Sequence, residues 1–205
     1  MYWQLTYGDI RHYDPVSLRP QMKAYTVYID AISKCFAATG VRVGWAMGPE
    51  AIMSKMKAIL SHVGAWAPMA EQKAVARFLL QYDDINNYLQ HFKAEISLRL
   101  QKIYNGFMRL KAEGLPVDAI APQAAIYLTV RVTARGMKTT SEQLLEQQKD
   151  VTGYLLNEAG IALVPFYAFG ASKDSSWYRL SVGACKKEEI DAMIEALAQA
   201  LRKLK

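Results

Sequence analysis

The sequence predicts a mixed fold, with α/β structure in the first part of the chain and a compact α+β unit in the second. Short strand patterns surround a lysine in the first part, whereas apolar and polar residues alternate cleanly at Ile126–Val132 in the second. Between the two parts, a helical pattern of unusual length extends from Ile85 to about Lys111. Because a long helix beside a change of pattern is a natural bridge between domains, we expect one domain at residues 1–92 and another at residues 93–205.

The first part opens with an aromatic, strand-like stretch at Tyr2–Tyr7 that has no polar leader, which is the start expected of a piece of a larger fold. Tyr25–Ile29 is rich in β-branched and aromatic residues, and Arg42–Met47 is a second short strand candidate. The segment between these strands is predicted to be a loop that carries Lys34. Helical spacing of apolar residues then predicts helices at residues 49–60, 71–82 and 85–111.

The second part continues with a helix and two further strands. Thr140 and Gln143 have the spacing of a capping box, which predicts the start of a helix that ends at Gly160. Strands are predicted at Ile161–Pro165 and Trp177–Val182. A closing amphipathic helix is indicated by a stripe of apolar residues, namely Ile190, Met193, Ile194, Leu197, Leu201 and Leu204.

Composition excludes several classes of protein. The 25 Lys and Arg residues exceed the 19 Asp and Glu residues by 6, but they are spread along the chain, so we expect no nucleic-acid surface. Neither of the two cysteines has metal-ligand spacing around it, which favours the reducing cytoplasm and no metal site. No apolar run approaches the roughly 18 residues that a membrane helix needs, so we expect no membrane association.

Lys34 and Arg42 are the residues whose surroundings indicate chemistry. Small and apolar residues flank Lys34, and partial desolvation there would favour the neutral, nucleophilic amine. Arg42 follows the turn at Gly40, and its planar guanidinium suits an oxygen-rich phosphate. A lysine and an arginine brought together by a tight turn predict a site for an aldehyde that also bears a phosphate.

Three segments resemble the class I/II aminotransferases, the aspartate aminotransferase-like group of fold-type I enzymes. Ser33-Lys34, followed by Phe36, Thr39-Gly40, Arg42 and Gly44, resembles the family's cofactor-lysine motif. Pro122–Tyr127 is similar to a strand of the small domain, and Pro165–Gly183 resembles the late segment that carries a carboxylate-binding arginine. The resemblance covers essentially the whole chain and implies the C-terminal portion of this fold, with the end of the large domain followed by the small α+β domain.

The resemblance implies a role for four residues and a pyridoxal 5'-phosphate cofactor. Lys34 would carry the cofactor and move the proton at the substrate Cα, and Arg42 would hold the phosphate. Arg179 would bind the carboxylate of the amino acid or 2-oxo acid substrate. Tyr2 lies 32 residues before the lysine, where the family places a tyrosine that contacts the cofactor hydroxyl. Family members are homodimers, so the full-length protein is expected to be one.

The chain departs from the family pattern at three points. Ala31 stands where the family commonly has a phosphate-binding serine or threonine, so Ser33 or Thr39 would have to supply that contact. Ala124 stands where the strand motif commonly has a glycine. The aspartate that pairs with the ring nitrogen would fall ahead of Met1. Without it the cofactor is a weaker electron sink, so we expect the chain as given to be catalytically inactive.

Other functions remain open at this point. C–S lyases and decarboxylases of fold-type I share the same lysine and arginine, so the motif does not separate them from transaminases. The effector-binding domain of a transcription regulator can also have an aminotransferase-like fold, and a stand-alone binding module is a third alternative. The amino acid substrate and the amino-group acceptor do not follow from these residues.

Overall fold

The computed structural model describes all 205 residues, and the chain divides into two compact units, Met1–Lys93 and Ala94–Lys205. None of its helices is both long enough and apolar enough to cross a membrane. The α-helices are α1 (Pro15–Leu18), α2 (Ile32–Cys35), α3 (Glu50–Val63), α4 (Met69–Phe78), α5 (Tyr82–Ala112), α6 (Gln148–Ala159) and α7 (Ile190–Arg202). The strands are β1 (Tyr28–Ala31), β2 (Gly44–Met47), β3 (Val117–Ala119), β4 (Tyr127–Val132), β5 (Val164–Pro165) and β6 (Trp177–Ser181).

The first unit contains a two-stranded antiparallel sheet of β1 and β2, in which Ala31 is opposite Gly44. A Cβ atom at Gly44 would lie only 3.0 Å from the carbonyl oxygen of Asp30, so the absence of a side chain permits this close pairing. The segment between the strands was predicted to be a loop, but Ile32–Cys35 forms one helical turn, α2. The predicted lysine segment is therefore more regular than its sequence indicates.

An apolar cluster supports the backbone on both sides of that turn. Ile32, Val43 and Val75 are buried together, and half-buried apolar residues from α4 and the lysine segment pack around them. Phe36 makes an edge-to-face contact with Phe78, with ring centroids 5.2 Å apart. The motif residues therefore contribute to the core of this unit as well as to its candidate site.

Helix α3 has an apolar stripe that this chain does not cover. The helix contains no buried residue. Ile52, Ile59, Leu60 and Val63 recur at positions i, i+7, i+8 and i+11, the spacing of one helical face, and Val63 is 70% exposed. A stripe of this kind normally faces the interior of a fold.

The second unit is built on a four-stranded antiparallel sheet with the order β3-β4-β6-β5. Every second residue of β4 is buried, which confirms the alternation predicted for this strand. Tyr178 of β6 is fully buried, and burial raises its pKa to about 12, so its hydroxyl stays protonated and accepts a hydrogen bond from Nε2 of Gln148.

Four further predictions about the elements need correction. The helix predicted to start at Thr140 starts at Gln148, because Thr139 and Gln143 close a tight turn in which the Thr139 hydroxyl accepts from the Gln143 N–H. The helix does end at Gly160, which adopts the left-handed conformation as predicted. Strand β3 was missed. Two strands were placed too early, since residues 25–27 and 161–163 precede the paired segments β1 and β5.

Helices α5 and α7 approach each other closely at Gly106. A Cβ atom added there would lie 2.6 Å from Cγ1 of Ile194. Ile194 is only 3% exposed, so its side chain has little room to move. We expect Gly106→Ala to lower the free energy of unfolding by about 1–3 kcal/mol through overpacking, although alanine favours a helix. Urea unfolding of the two proteins measures the difference.

Gly153 of α6 provides the matched control, because no atom lies within 4 Å of a Cβ added there. Gly153→Ala should raise the free energy of unfolding by up to about 1 kcal/mol through helix propensity. Ile194→Ala removes the side chain that a Cβ at position 106 would meet. The double variant Gly106→Ala, Ile194→Ala should therefore lose less free energy of unfolding than the sum of the losses in the two single variants. A stable Gly106→Ala protein would contradict the close packing.

Candidate active site

Lys34 lies in the single turn of α2, between strands β1 and β2. Its neighbours Ile32 and Cys35 are buried, whereas Lys34 itself is half-buried. The Ile32 N–H donates to the carbonyl of Val43 at 3.3 Å, and this bond joins the two ends of the segment between residues 32 and 43. The Nζ atom of Lys34 makes no hydrogen bond or ion pair. Lys34 is therefore partly buried, and no carboxylate neutralises its amine.

Arg42 occupies a strained backbone position at the other end of the same segment. Its φ angle is 61° and its ψ angle is 35°, in the left-handed region that favours glycine. The side chain is exposed, and its Nη1 donates to the carbonyl of Thr39 at 3.1 Å. Ala37 also has a positive φ angle, 49°. Two such residues in one segment match the tendency of backbone strain to concentrate at functional sites.

Tyr2 lies on a segment that is bonded directly to the segment of Lys34. Nε1 of Trp3 donates to Oδ2 of Asp30 at 2.7 Å, and the thiol of Cys35 donates to the carbonyl of Met1 at 2.8 Å. Tyr2 stands between Met1 and Trp3, so these two bonds hold its backbone beside the strand end and the helical turn that flank the lysine. Burial raises the pKa of the Cys35 thiol, which therefore remains a neutral donor.

The residues of this segment fit a phosphorylated aldehyde. A phosphate needs uncompensated cations, and neither Lys34 nor Arg42 is paired with a carboxylate. An aldehyde needs an amine that no carboxylate holds in an ion pair, and the half-buried Lys34 provides one. The serine or threonine contact that Ala31 lacks would fall to Ser33, which is half-buried, or to Thr39, which is exposed.

Arg179 belongs to the second unit, where it lies in the middle of β6. Its side chain is half-buried, on the face of the sheet opposite to buried Tyr178 and Leu180. The Cζ atom lies 4.3 Å from the ring centroid of Tyr127 and 4.4 Å from that of Phe169. Its Nε is buried without a hydrogen-bond partner, and the side chain forms no ion pair.

A second arginine on the same face has a different environment. Nη2 of Arg131 pairs with Oδ2 of Asp118 at 3.0 Å. A hydrogen bond from Lys111 is the main cause that lowers the pKa of Asp118, and the charge of Arg131 adds to it. Arg131 therefore has an ion-pair partner within the protein, whereas Arg179 has none.

The sequence did not predict the two rings that enclose Arg179. Tyr127 and Phe169 both stand in segments that resemble the family, but no role was assigned to either. The spacing of the segments cannot reveal the contact, because it depends on strand pairing and on the turn that follows β5. The aromatic residues of these two segments were the only available signal.

Comparisons with known proteins agree on one family. The sequence profile described as aminotransferase class I and II matches residues 1–197. Aspartate aminotransferase of Geobacillus stearothermophilus is 32% identical over 176 residues, which are 83% of this chain and 41% of that protein. Aspartate aminotransferase of Rhizobium meliloti is 28% identical over 205 residues, which are 100% of this chain and 47% of that protein.

Solved structures give the same result. The crystal structure of the Rhizobium meliloti aspartate aminotransferase has a TM-score of 0.82 and 27% identity, and the match covers 100% of this chain and 49% of that one. The aromatic aminotransferase from Pyrococcus horikoshii OT3 has a TM-score of 0.83 and 25% identity, with 98% and 49% covered. The chain thus spans about half the length of the relatives it matches.

The strain at Arg42 can be separated from its charge by two substitutions. Both Arg42→Ala and Arg42→Gly remove the guanidinium, but only glycine adopts the left-handed conformation without steric cost. We expect the glycine variant to be more stable than the alanine variant by about 1 kcal/mol. Thermal or urea unfolding measures the difference. At Ala58 of helix α3, Ala→Gly should instead destabilise by about 1 kcal/mol, and the same sign at both positions would argue against strain.

Proposed function

Because this chain belongs to the class I and II aminotransferase family, whose profile matches residues 1–197, we propose that it is part of an enzyme that transfers an amino group between an amino acid and a 2-oxo acid. The observation that carries the proposal is the pair of unneutralised cations, Lys34 and Arg42, at the two ends of one packed segment. In this proposal, residues 1–92 are the end of the cofactor domain and residues 93–205 are the small domain.

Pyridoxal phosphate, when bound, supplies an aldehyde for covalent attachment and a ring that draws electrons from the substrate Cα. In this site Nζ of Lys34 would hold the cofactor, and the guanidinium of Arg42 would pair with its phosphate. The hydroxyl of Tyr2 would donate a hydrogen bond to the cofactor hydroxyl. The contacts of the Tyr2 segment with Asp30 and Cys35 support this arrangement, since they fix that segment beside the lysine.

Two residues would act on the substrate itself. The Lys34 amine would take up and return the proton at the substrate Cα as a general base and acid. Arg179 would bind the substrate carboxylate with two parallel hydrogen bonds, which fixes the orientation of the Cα–H bond. The lack of an internal ion pair at Arg179 supports this role, because a neutralised arginine would have little affinity for an anion.

The alternatives differ in their chemistry from this proposal. A C–S lyase or decarboxylase would use the same lysine but release a different product, and a regulator domain would bind its effector without turnover. The relatives described above are named as aspartate or aromatic aminotransferases, which favours amino-group transfer. An assay for keto acid, sulfide and carbon dioxide with the full-length protein would distinguish the three products.

We further propose that the full-length protein is a homodimer in the cytoplasm. The family resemblance is the basis for the dimer. The two cysteines support a reducing compartment, because both are free thiols and Cys35 is buried. No nucleic acid or membrane enters the proposal.

The chain should attach pyridoxal phosphate selectively at Lys34. After incubation with the cofactor and reduction with borohydride, peptide mapping should place the label on Lys34, because in this proposal its amine holds the cofactor beside the phosphate-binding Arg42. Lys34→Arg should abolish that labelled peptide, whereas Lys55→Arg on exposed α3 should leave it unchanged. Equal labelling of many surface lysines in all three proteins would count against the proposal.

The 205-residue chain should nevertheless form keto acid slowly or not at all. The reason is that the aspartate expected to protonate the ring nitrogen is absent from these residues. Purified chain is mixed with pyridoxal phosphate and amino acids, and the keto acid is measured. Rapid formation that requires Lys34 would show that the chain needs no such aspartate.

A further inference from the structure

We propose that Tyr127 and Phe169 are positioning residues that hold the guanidinium of Arg179 in the orientation that binds a carboxylate. The inference rests on the proposed function of Arg179 and adds the means by which its side chain is fixed. The two ring centroids lie 4.3 Å and 4.4 Å from Cζ. Both distances are within the range of a cation–π contact.

The ring contacts do not use the hydrogen-bond donors of the guanidinium. All five N–H donors of an arginine lie in the plane of the group, and none points along its faces. Contacts with aromatic faces therefore restrict rotation of the group without consuming a donor. A carboxylate approaches in that plane and accepts two parallel hydrogen bonds.

The neighbouring residues keep Arg179 free of an internal anion. Its partners across the sheet are Thr129 on β4 and Val164 on β5, and neither carries a charge. Arg131 on the same face shows the alternative, because Asp118 lies 3.0 Å from its Nη2. The ring beside Arg131 is also more distant, with the Trp177 centroid 5.2 Å from Cζ. Two aromatic rings therefore contact the guanidinium of Arg179, whereas a carboxylate contacts that of Arg131.

Pre-orientation matters because a free arginine loses side-chain freedom when it binds. When the rings already restrict the side chain, it loses less conformational entropy when the carboxylate binds. Phe169 contributes to this restriction although its side chain is 55% exposed. Its removal should therefore weaken carboxylate binding without disturbing the core.

The test measures binding of maleate, a small carboxylate without an amino group, to the complete 205-residue chain. Isothermal titration calorimetry gives the maleate affinity of every variant, and the NMR signal of the Arg179 Nε–H shows whether maleate binds at this arginine. Neither measurement needs cofactor or turnover. Phe169→Leu removes the ring face and should weaken maleate binding by up to about tenfold, which is the effect expected when one long side chain must be ordered in the binding step. Phe169→Tyr retains the face and should restore the affinity.

Three comparisons decide the result. Trp177→Leu removes the ring beside Arg131 and should leave the maleate affinity unchanged, and thermal unfolding checks that every variant is folded. Unchanged affinity in Phe169→Leu, together with lost binding in Arg179→Gln, would overturn the role of the ring but leave the proposed carboxylate site intact. Unchanged affinity in Arg179→Gln would overturn both the inference and the carboxylate site.

Discussion

The burial of Ile32 and Val43 is the constraint on which the candidate site depends. These two residues stand on either side of the Lys34 segment, and a backbone hydrogen bond joins them at 3.3 Å. Both pack with Val75 of α4 in the apolar interior of the first unit. Since the segment is anchored at both ends, the residues between them have few conformations available. The half-buried position of Lys34 and the left-handed backbone at Arg42 both follow from this anchoring.

Regular elements with strong periodicity were predictable from the sequence. The long helix α5, the closing helix α7 and the alternating strand β4 were all placed within a few residues, because each buries one face along its whole length. The start of α6 was not predictable in the same way. The hydroxyl of Thr139 stabilises a tight turn instead of a helix, and local hydrogen bonds of this kind compete with helix formation. Strand β3 has three residues, too few to show a period.

The candidate site was predictable only in part, for a related reason. Lys34, Arg42 and Arg179 stand in motifs with fixed spacing, so each could be named from the sequence. Their surroundings depend on contacts between distant segments, and such contacts have no local signal. The rings at Tyr127 and Phe169 meet one arginine only because β4 and β6 pair and the chain turns after β5. For the same reason, the sequence could not tell that Arg131 has an ion-pair partner and Arg179 has none.

The uncovered stripe on helix α3 affects how the isolated chain would behave in solution. The stripe is an exposed apolar surface, which water solvates poorly, and it is formed by Ile52, Ile59, Leu60 and Val63. Two chains that meet at these surfaces gain free energy without unfolding, so loss of soluble material would begin by association of native molecules. Protein concentration and salting-out ions would then determine how quickly this chain aggregates in solution.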